Sequence, residues 1–183
     1  LGTACELIEF GCGSGRKTRL LLEALNPLAF LPVDISRVAL EGACHELVQR
    51  FPGTRITPLL ADYTRPISYP PSGDLPVKRR AVYFPGSTVG NFTREEAAQF
   101  LRHVRELVAT GGALLIGVDL KKDRAVLNAA YNDAAGVTAA FNLNLLAHLN
   151  RRFGADFDID GFQHFAYYDE ELGRIEMHLL ARE

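Results

Sequence analysis

The chain has 183 residues, 48% of them apolar and 23% charged, which suits one globular domain with a single core and excludes a disordered or fibrous chain. The net charge is −2 and only Lys78, Arg79 and Arg80 form a basic run, read here as solvated loop, so nucleic acid is not the expected partner. No apolar stretch approaches a membrane span, nothing at the start resembles a signal peptide, and Cys5, Cys12 and Cys44 make no disulfide framework, so a reducing, cytoplasmic setting without a membrane is expected.

Leu7 to Phe10 reads as a short buried strand, followed by a glycine turn and a helix through about Leu25. Ala29 to Val33 is a second strand, ended by Asp34, and Ser36 is placed to cap a helix running to Phe51, where Pro52-Gly53 breaks it. Arg55 to Ala61 alternates as a third strand and is closed by Asp62. The proline-rich segment from Pro66 to Pro76 is a surface loop. Arg80 to Phe84 gives a fourth strand, which Pro85-Gly86-Ser87-Thr88 turns over. Thr93 with Glu96 forms a capping box for a helix to about Ala109, and Gly111-Gly112 leads into a fifth strand over Ala113 to Val118, ended by Asp119. This order predicts an α/β fold, a doubly wound (Rossmann-like), mostly parallel sheet with helices on both faces.

From Asp123 the pattern becomes helical and amphipathic to about Phe153, interrupted near Gly136 and carrying asparagines at 128, 132, 142, 144 and 150. Such a segment between core strands, about 123–160, is expected to cover a ligand crevice. The asparagines themselves read equally well as helix surface. Phe162 to Tyr168 and Arg174 to Leu180 form an antiparallel hairpin around Asp169-Glu170-Glu171.

Doubly wound sheets bind ligands outside the carboxyl ends of their strands. Gly11-x-Gly13-x-Gly15 follows the first strand, but Arg16 stands where a dinucleotide fingerprint needs its third glycine. The phosphate-cradling P-loop fails as well, because Arg16 separates Gly15 from Lys17-Thr18. An acid on the strand with G-x-G-x-G is the pattern of S-adenosylmethionine sites, where bare backbone lets the amino-acid part of the cofactor lie close. Close packing alone is the competing explanation. Asp34, 21 residues beyond Gly13, stands where an acid accepts both ribose hydroxyls. Asp62 with Tyr63 adds an adenine contact, carboxylate to amino group and backbone N–H to ring nitrogen. Cys12 reads as a small space-filling residue, and His45, His103, His148, His164 and His178 show no metal-ligand spacing.

At GSTVGN, residues 86–91, the sequence resembles the histidine Nα-methyltransferases of ergothioneine biosynthesis, which are class I methyltransferases. GVDLKKDRAVLNAAYNDAAGVTAAFNLNLLAHLNRRFGADFDIDGFQH and RIEMHLLA are similar to the same family, so the resemblance covers essentially the whole chain. It implies that Gly11, Gly13 and Lys17 hold the methionine part of S-adenosylmethionine, Asp34 the ribose, and Asp62 with Tyr63 the adenine. It further implies that Asn91 binds the amino and carboxylate groups of an amino-acid substrate, that Tyr131 binds its carboxylate, and that Gly86 offers backbone beside it. The family also has an N-terminal helical part with a substrate-facing tyrosine, and a glutamate and a serine beyond the RIEM strand. Neither is present, and the 183 residues are expected to be an excerpt of a longer protein.

The implied reaction moves methyl groups to the α-amino nitrogen of L-histidine, giving the trimethylated betaine, with no catalytic side chain assigned and no metal. Three alternatives stand beside it: a family member acting on another amino acid or amine, a non-catalytic nucleotide-binding module, and an NAD-linked oxidoreductase.

Overall fold

The computed structural model describes Gly2 and residues 4–13, 15–70 and 73–182, so Ser14 of the glycine turn and Pro71-Ser72 of the proline-rich loop lie outside the described residues. The chain divides into two compact units, Leu1–Asp119 and Leu120–Glu183.

In the first unit β1 (Cys5–Phe10) lies at the centre of a parallel sheet, between β2 (Ala29–Asp34) and β5 (Arg79–Phe84). β3 (Arg55–Ile56) and β4 (Leu59–Leu60) both pair with β2, and β6 (Ala113–Ile116) pairs with β5. All six residues of β1 are buried, as a central strand covered on both faces requires. Leu7, Phe30 and Ala81 pack on one face under Leu22 of α1 (Arg16–Leu25) and Leu47 of α2 (Arg37–Arg50). Ile8, Phe10, Val82 and Phe84 pack on the other under Phe100 and Val104 of α3 (Arg94–Val108). Helices on both faces are therefore as predicted. Phe30 is fully buried, a contribution of roughly 2–3 kcal/mol in this core.

Three details differ from the sequence expectation. The third strand is interrupted: Thr57 donates its N–H to Phe30 and Ala61 donates to Asp34, but between these two acceptors β2 carries Pro32, which has no N–H to give back, so two short strands replace one. Within the basic run, the Arg79 backbone already pairs with Cys5, and Arg80 donates to Glu6 at 2.8 Å, so these two residues belong to the sheet rather than to a loop. β6 stops at Ile116, two residues early, because Gly117 passes over the turn after β5; a Cβ there would lie 3.1 Å from the Gly86 nitrogen.

The second unit holds α4 (Arg124–Tyr131), α5 (Val137–Phe153), and the antiparallel pair β7 (Phe162–Asp169) and β8 (Arg174–Ala181), with Phe162 opposite Ala181 and Asp169 opposite Arg174. The break near Gly136 is a helix start. Gly136 takes a left-handed φ of 70°, and the Asp133 carboxylate accepts from the N–H groups of Val137 and Thr138. Those bonds hold the Asp133 carboxyl down at about 2. No helix among the described residues is long and apolar enough to cross a membrane.

Candidate functional site

The turn after β1 gathers most of the residues singled out in the sequence. Gly11, Gly13 and Gly15 all have positive φ, at 73°, 50° and 69°, a conformation that side-chain-bearing residues avoid. A Cβ on Gly13 would meet nothing within 4 Å, so the backbone here faces open space. Glycine at this position is set by the left-handed backbone rather than by a neighbouring side chain, and it leaves the space beside the turn open.

Asp34 ends β2 beside this turn because β1 and β2 run parallel in register from Glu6–Ala29 to Phe10–Val33. Its Oδ2 accepts from the Gly13 N–H at 3.3 Å and its Oδ1 from the Ser36 N–H at 2.8 Å. Oδ2 also accepts from the Cys12 thiol at 3.9 Å, so each carboxylate oxygen holds one backbone donor and Oδ1 keeps a second acceptor direction. Ser36 caps α2 through Ala39.

Tyr63 follows β4 and turns its ring inward, stacked on Phe10 at 5.4 Å between centroids, with its hydroxyl 3.8 Å from where a Gly11 Cβ would be. Burial raises the Tyr63 hydroxyl above its usual range, and Asp34 and Asp62 add to the shift. Tyr63 and Phe10 also line a cavity of about 260 Å³ with Ile67, Tyr69 and His103. Asp62 is engaged locally. Its Oδ1 accepts from the Thr64 N–H at 3.0 Å and the Thr64 hydroxyl at 2.6 Å, which lowers its carboxyl. Its Oδ2 lies 3.4 Å from Arg65.

Glu9 is the second of two acids on β1, and its surroundings were not legible in the sequence. It is 1% exposed, points to the helix-covered side with Leu7, and its Oε2 accepts from the Thr18 hydroxyl at 2.5 Å. Burial pushes its carboxyl from 4.5 up to about 7 against the Thr18 bond, and the negative charge of Asp34 adds to this while Lys17 opposes it. This contact ties the first turn of α1, which carries Lys17, to the strand below the glycines. Cys12 packs with Leu40, Ala43 and Cys44, and burial raises its thiol to about 12, consistent with the space-filling role.

After β5, Gly86 (φ 81°) and Ser87 (φ 60°) lead into a single 3-10 turn, Thr88–Asn91. The Ser87 hydroxyl accepts from the Asp119 N–H at 2.8 Å, tying the ends of β5 and β6 together. Asn91 is exposed at the end of that turn, directly before the Thr93–Glu96 capping box, which is present as predicted.

Tyr131 belongs to the second unit, as the last residue of α4, and is 38% exposed. The asparagines around it are not plain helix surface. Asn128 Oδ1 accepts from the Tyr168 N–H at 2.7 Å. Asn132 both accepts from the Ala166 N–H at 3.1 Å and donates to the Ala166 carbonyl at 2.8 Å. Asn150 makes the same double contact with Phe157, at 2.9 and 2.8 Å.

A family model described as a histidine-specific, S-adenosylmethionine-dependent methyltransferase matches residues 1–183. The chain is 42% identical to a histidine N-alpha-methyltransferase of Mycolicibacterium smegmatis over 96% of its own length and 55% of the relative's. It is 39% identical to the enzyme of the same name from Mycobacterium tuberculosis, over 99% and 57%. It therefore spans about half the length of the curated relatives it matches. Among solved structures it resembles the CcbJ methyltransferase of Streptomyces caelestis, with a TM-score of 0.53 at 16% identity over 98% of this chain and 66% of that one, a likeness of fold. With its parallel sheet, its open glycine turn and this match along its whole length, the chain belongs to the histidine-specific, S-adenosylmethionine-dependent methyltransferase family.

Proposed function

We propose that the protein transfers methyl groups from S-adenosylmethionine to the α-amino nitrogen of L-histidine, yielding the trimethylated betaine on the way to ergothioneine. The observation that carries this reading is the Asp34 carboxylate set against an open, positive-φ glycine turn, in a chain matched throughout by the histidine-specific family. When bound, S-adenosylmethionine supplies a methyl group on a sulfonium that is already a good electrophile, and it leaves as S-adenosylhomocysteine.

The residues of this chain bind and aim. Gly11 and Gly13 let backbone approach the methionine part closely, and Lys17 pairs with its carboxylate. The Asp34 carboxylate takes the ribose hydroxyls, and Asp62 with Tyr63 takes the adenine. Asn91 holds the amino and carboxylate groups of the substrate, and Tyr131 is assigned to its carboxylate, with Gly86 offering backbone beside it. The attacking nitrogen must carry a lone pair, so its proton passes to solvent or to a base not assigned among these residues, and no protein nucleophile is needed. Orientation is the main source of rate, a contribution that reaches roughly 7–11 kcal/mol in favourable cases. The three buried, unpaired thiols Cys5, Cys12 and Cys44 support a reducing, cytoplasmic setting.

Calorimetry tests the reading: S-adenosylmethionine is titrated first, then S-adenosylhomocysteine followed by L-histidine, L-tryptophan or glycine. Histidine binding selectively to the cofactor-loaded protein is the expected result. Cofactor binding without a preference for histidine would reassign the substrate to another amine, and no cofactor binding would overturn the assignment of the glycine turn.

A further inference from the structure

The backbone of Tyr131 is held by a chain of hydrogen bonds that admits one arrangement of protons. His164, on β7, places its Nε2 2.8 Å from the Tyr131 carbonyl oxygen. Its Nδ1 lies 3.0 Å from the side-chain nitrogen of Asn142 on α5, and that same nitrogen lies 3.0 Å from the His178 carbonyl on β8. A carbonyl oxygen only accepts, so His164 Nε2 carries a hydrogen. The Asn142 group facing the His178 carbonyl must likewise be the NH₂ end, because its oxygen there would face another oxygen. The second N–H of that amide then points at His164 Nδ1, which must present a lone pair. The imidazole is thus neutral and in the Nε2–H form.

The consequence falls on Tyr131. As the last residue of α4 it has a carbonyl with no partner inside the helix, and the histidine supplies one. The next residue, Asn132, is clipped to both polar groups of Ala166. The backbone at Tyr131 is therefore fixed from two directions while its ring stays partly exposed and free to meet a ligand.

We propose that His164, in the neutral Nε2–H form set by Asn142, is a positioning residue that fixes Tyr131 for its contact with the carboxylate of the amino-acid substrate. This rests on the assignment of Tyr131 to the substrate made above. Asn142 acts on the histidine, the histidine acts on the backbone of Tyr131, and none of the three changes the cofactor turn, so the effect is confined to substrate affinity.

The test combines a spectroscopic and a kinetic readout on the whole protein. The ¹⁵N shifts of the His164 ring should show a protonated Nε2 and a pyridine-like Nδ1, and a protonated Nδ1 in the neutral ring would overturn the proposal without any variant. In methyl-transfer assays with L-histidine, His164→Leu should raise KM about tenfold, the loss of one hydrogen bond. Turnover and S-adenosylmethionine affinity should stay near wild type. His164→Gln, which keeps a donor, should recover most of the KM. Tyr131→Phe separates the two layers. If it raises KM while His164→Leu does not, or if Gln and Leu at 164 are equally impaired, the positioning role is wrong and the Tyr131 assignment stands. If Tyr131→Phe leaves KM unchanged, the assignment fails and the positioning role fails with it.

Discussion

In the first unit the central strand β1 finds a strand on each edge, whereas in the second unit β7 has β8 on one edge and side-chain amides for Ala166 and Tyr168 beyond it. Both solutions meet the same demand, that buried backbone N–H and C=O groups find partners. In the parallel sheet the partner is another backbone, so the only requirement on sequence is an apolar run. In the hairpin the partners are Asn128 and Asn132, and the requirement falls on two particular polar residues one helical turn apart. A sheet edge satisfied by side chains is thus specified residue by residue, and it is open to single substitutions that the central sheet has no equivalent of.

Four experiments sharpen or break that comparison. The largest effect is expected at Glu9, the more deeply buried of the two acids on the central strand. The Glu9 carboxyl is raised from 4.5 to about 7 in the folded state, so its protonated form favours folding. That contribution is fully present below pH 4.5 and is lost as pH rises to about 7, a change of about 3 kcal/mol at 1.36 kcal/mol per unit. Glu9→Gln keeps an acceptor for Thr18 and removes the titration. In denaturant melts the variant should therefore gain on wild type between pH 5 and pH 8; parallel pH dependence of the two proteins would show that Glu9 is not charged at a cost.

Next is the cofactor turn, where backbone donors converge on a carboxylate. Asp34→Ala should weaken S-adenosylmethionine binding about 100-fold by calorimetry, the loss of charge-assisted bonds worth about 3 kcal/mol. Unchanged affinity would remove Asp34 from the site.

On the second unit, Asn132→Ala strips both polar groups of Ala166, a residue only 3% exposed. A loss of about 2 kcal/mol is expected, read as faster hydrogen exchange at the Ala166 amide with protection of the β1 amides kept. Equal loosening of β1 would contradict the independence of the two sets of contacts.

The smallest effect on stability belongs to Gly13→Ala. The added Cβ has open space, so only the left-handed backbone costs anything, about 1 kcal/mol. If the glycine turn holds the cofactor as proposed, cofactor affinity should fall far more than stability does, because the methyl group fills the open space beside the turn; equal losses would make Gly13 a folding residue alone.

Much of this was readable from the chain before any coordinates. The apolar runs at 7–10, 29–33 and 80–84, the capping box at Thr93 and the acids Asp34, Asp62 and Asp119 after their strands place a doubly wound sheet and a row of polar groups at its carboxyl ends, since strand burial and helix capping are local patterns. The GSTVGN turn and the long motifs after it are equally local, which is why the family was recognisable in them.

What tertiary structure decided is whatever depends on residues meeting from far apart. Pro32 splits the third strand only because folding sets it opposite the stretch between Thr57 and Ala61, which bond to β2 on either side of it. The state of Glu9 depends on Thr18 and on burial under α1, which no strand pattern reports. The asparagines of α4 and α5 look like helix surface in sequence, because an exposed amide and one aimed at a strand 34 to 40 residues away have the same helical spacing. The proton on His164 follows from carbonyls at Tyr131 and His178 that only folding brings to one imidazole and one amide. Periodicity records which face of an element is buried; it carries no record of which backbone group waits on the other side.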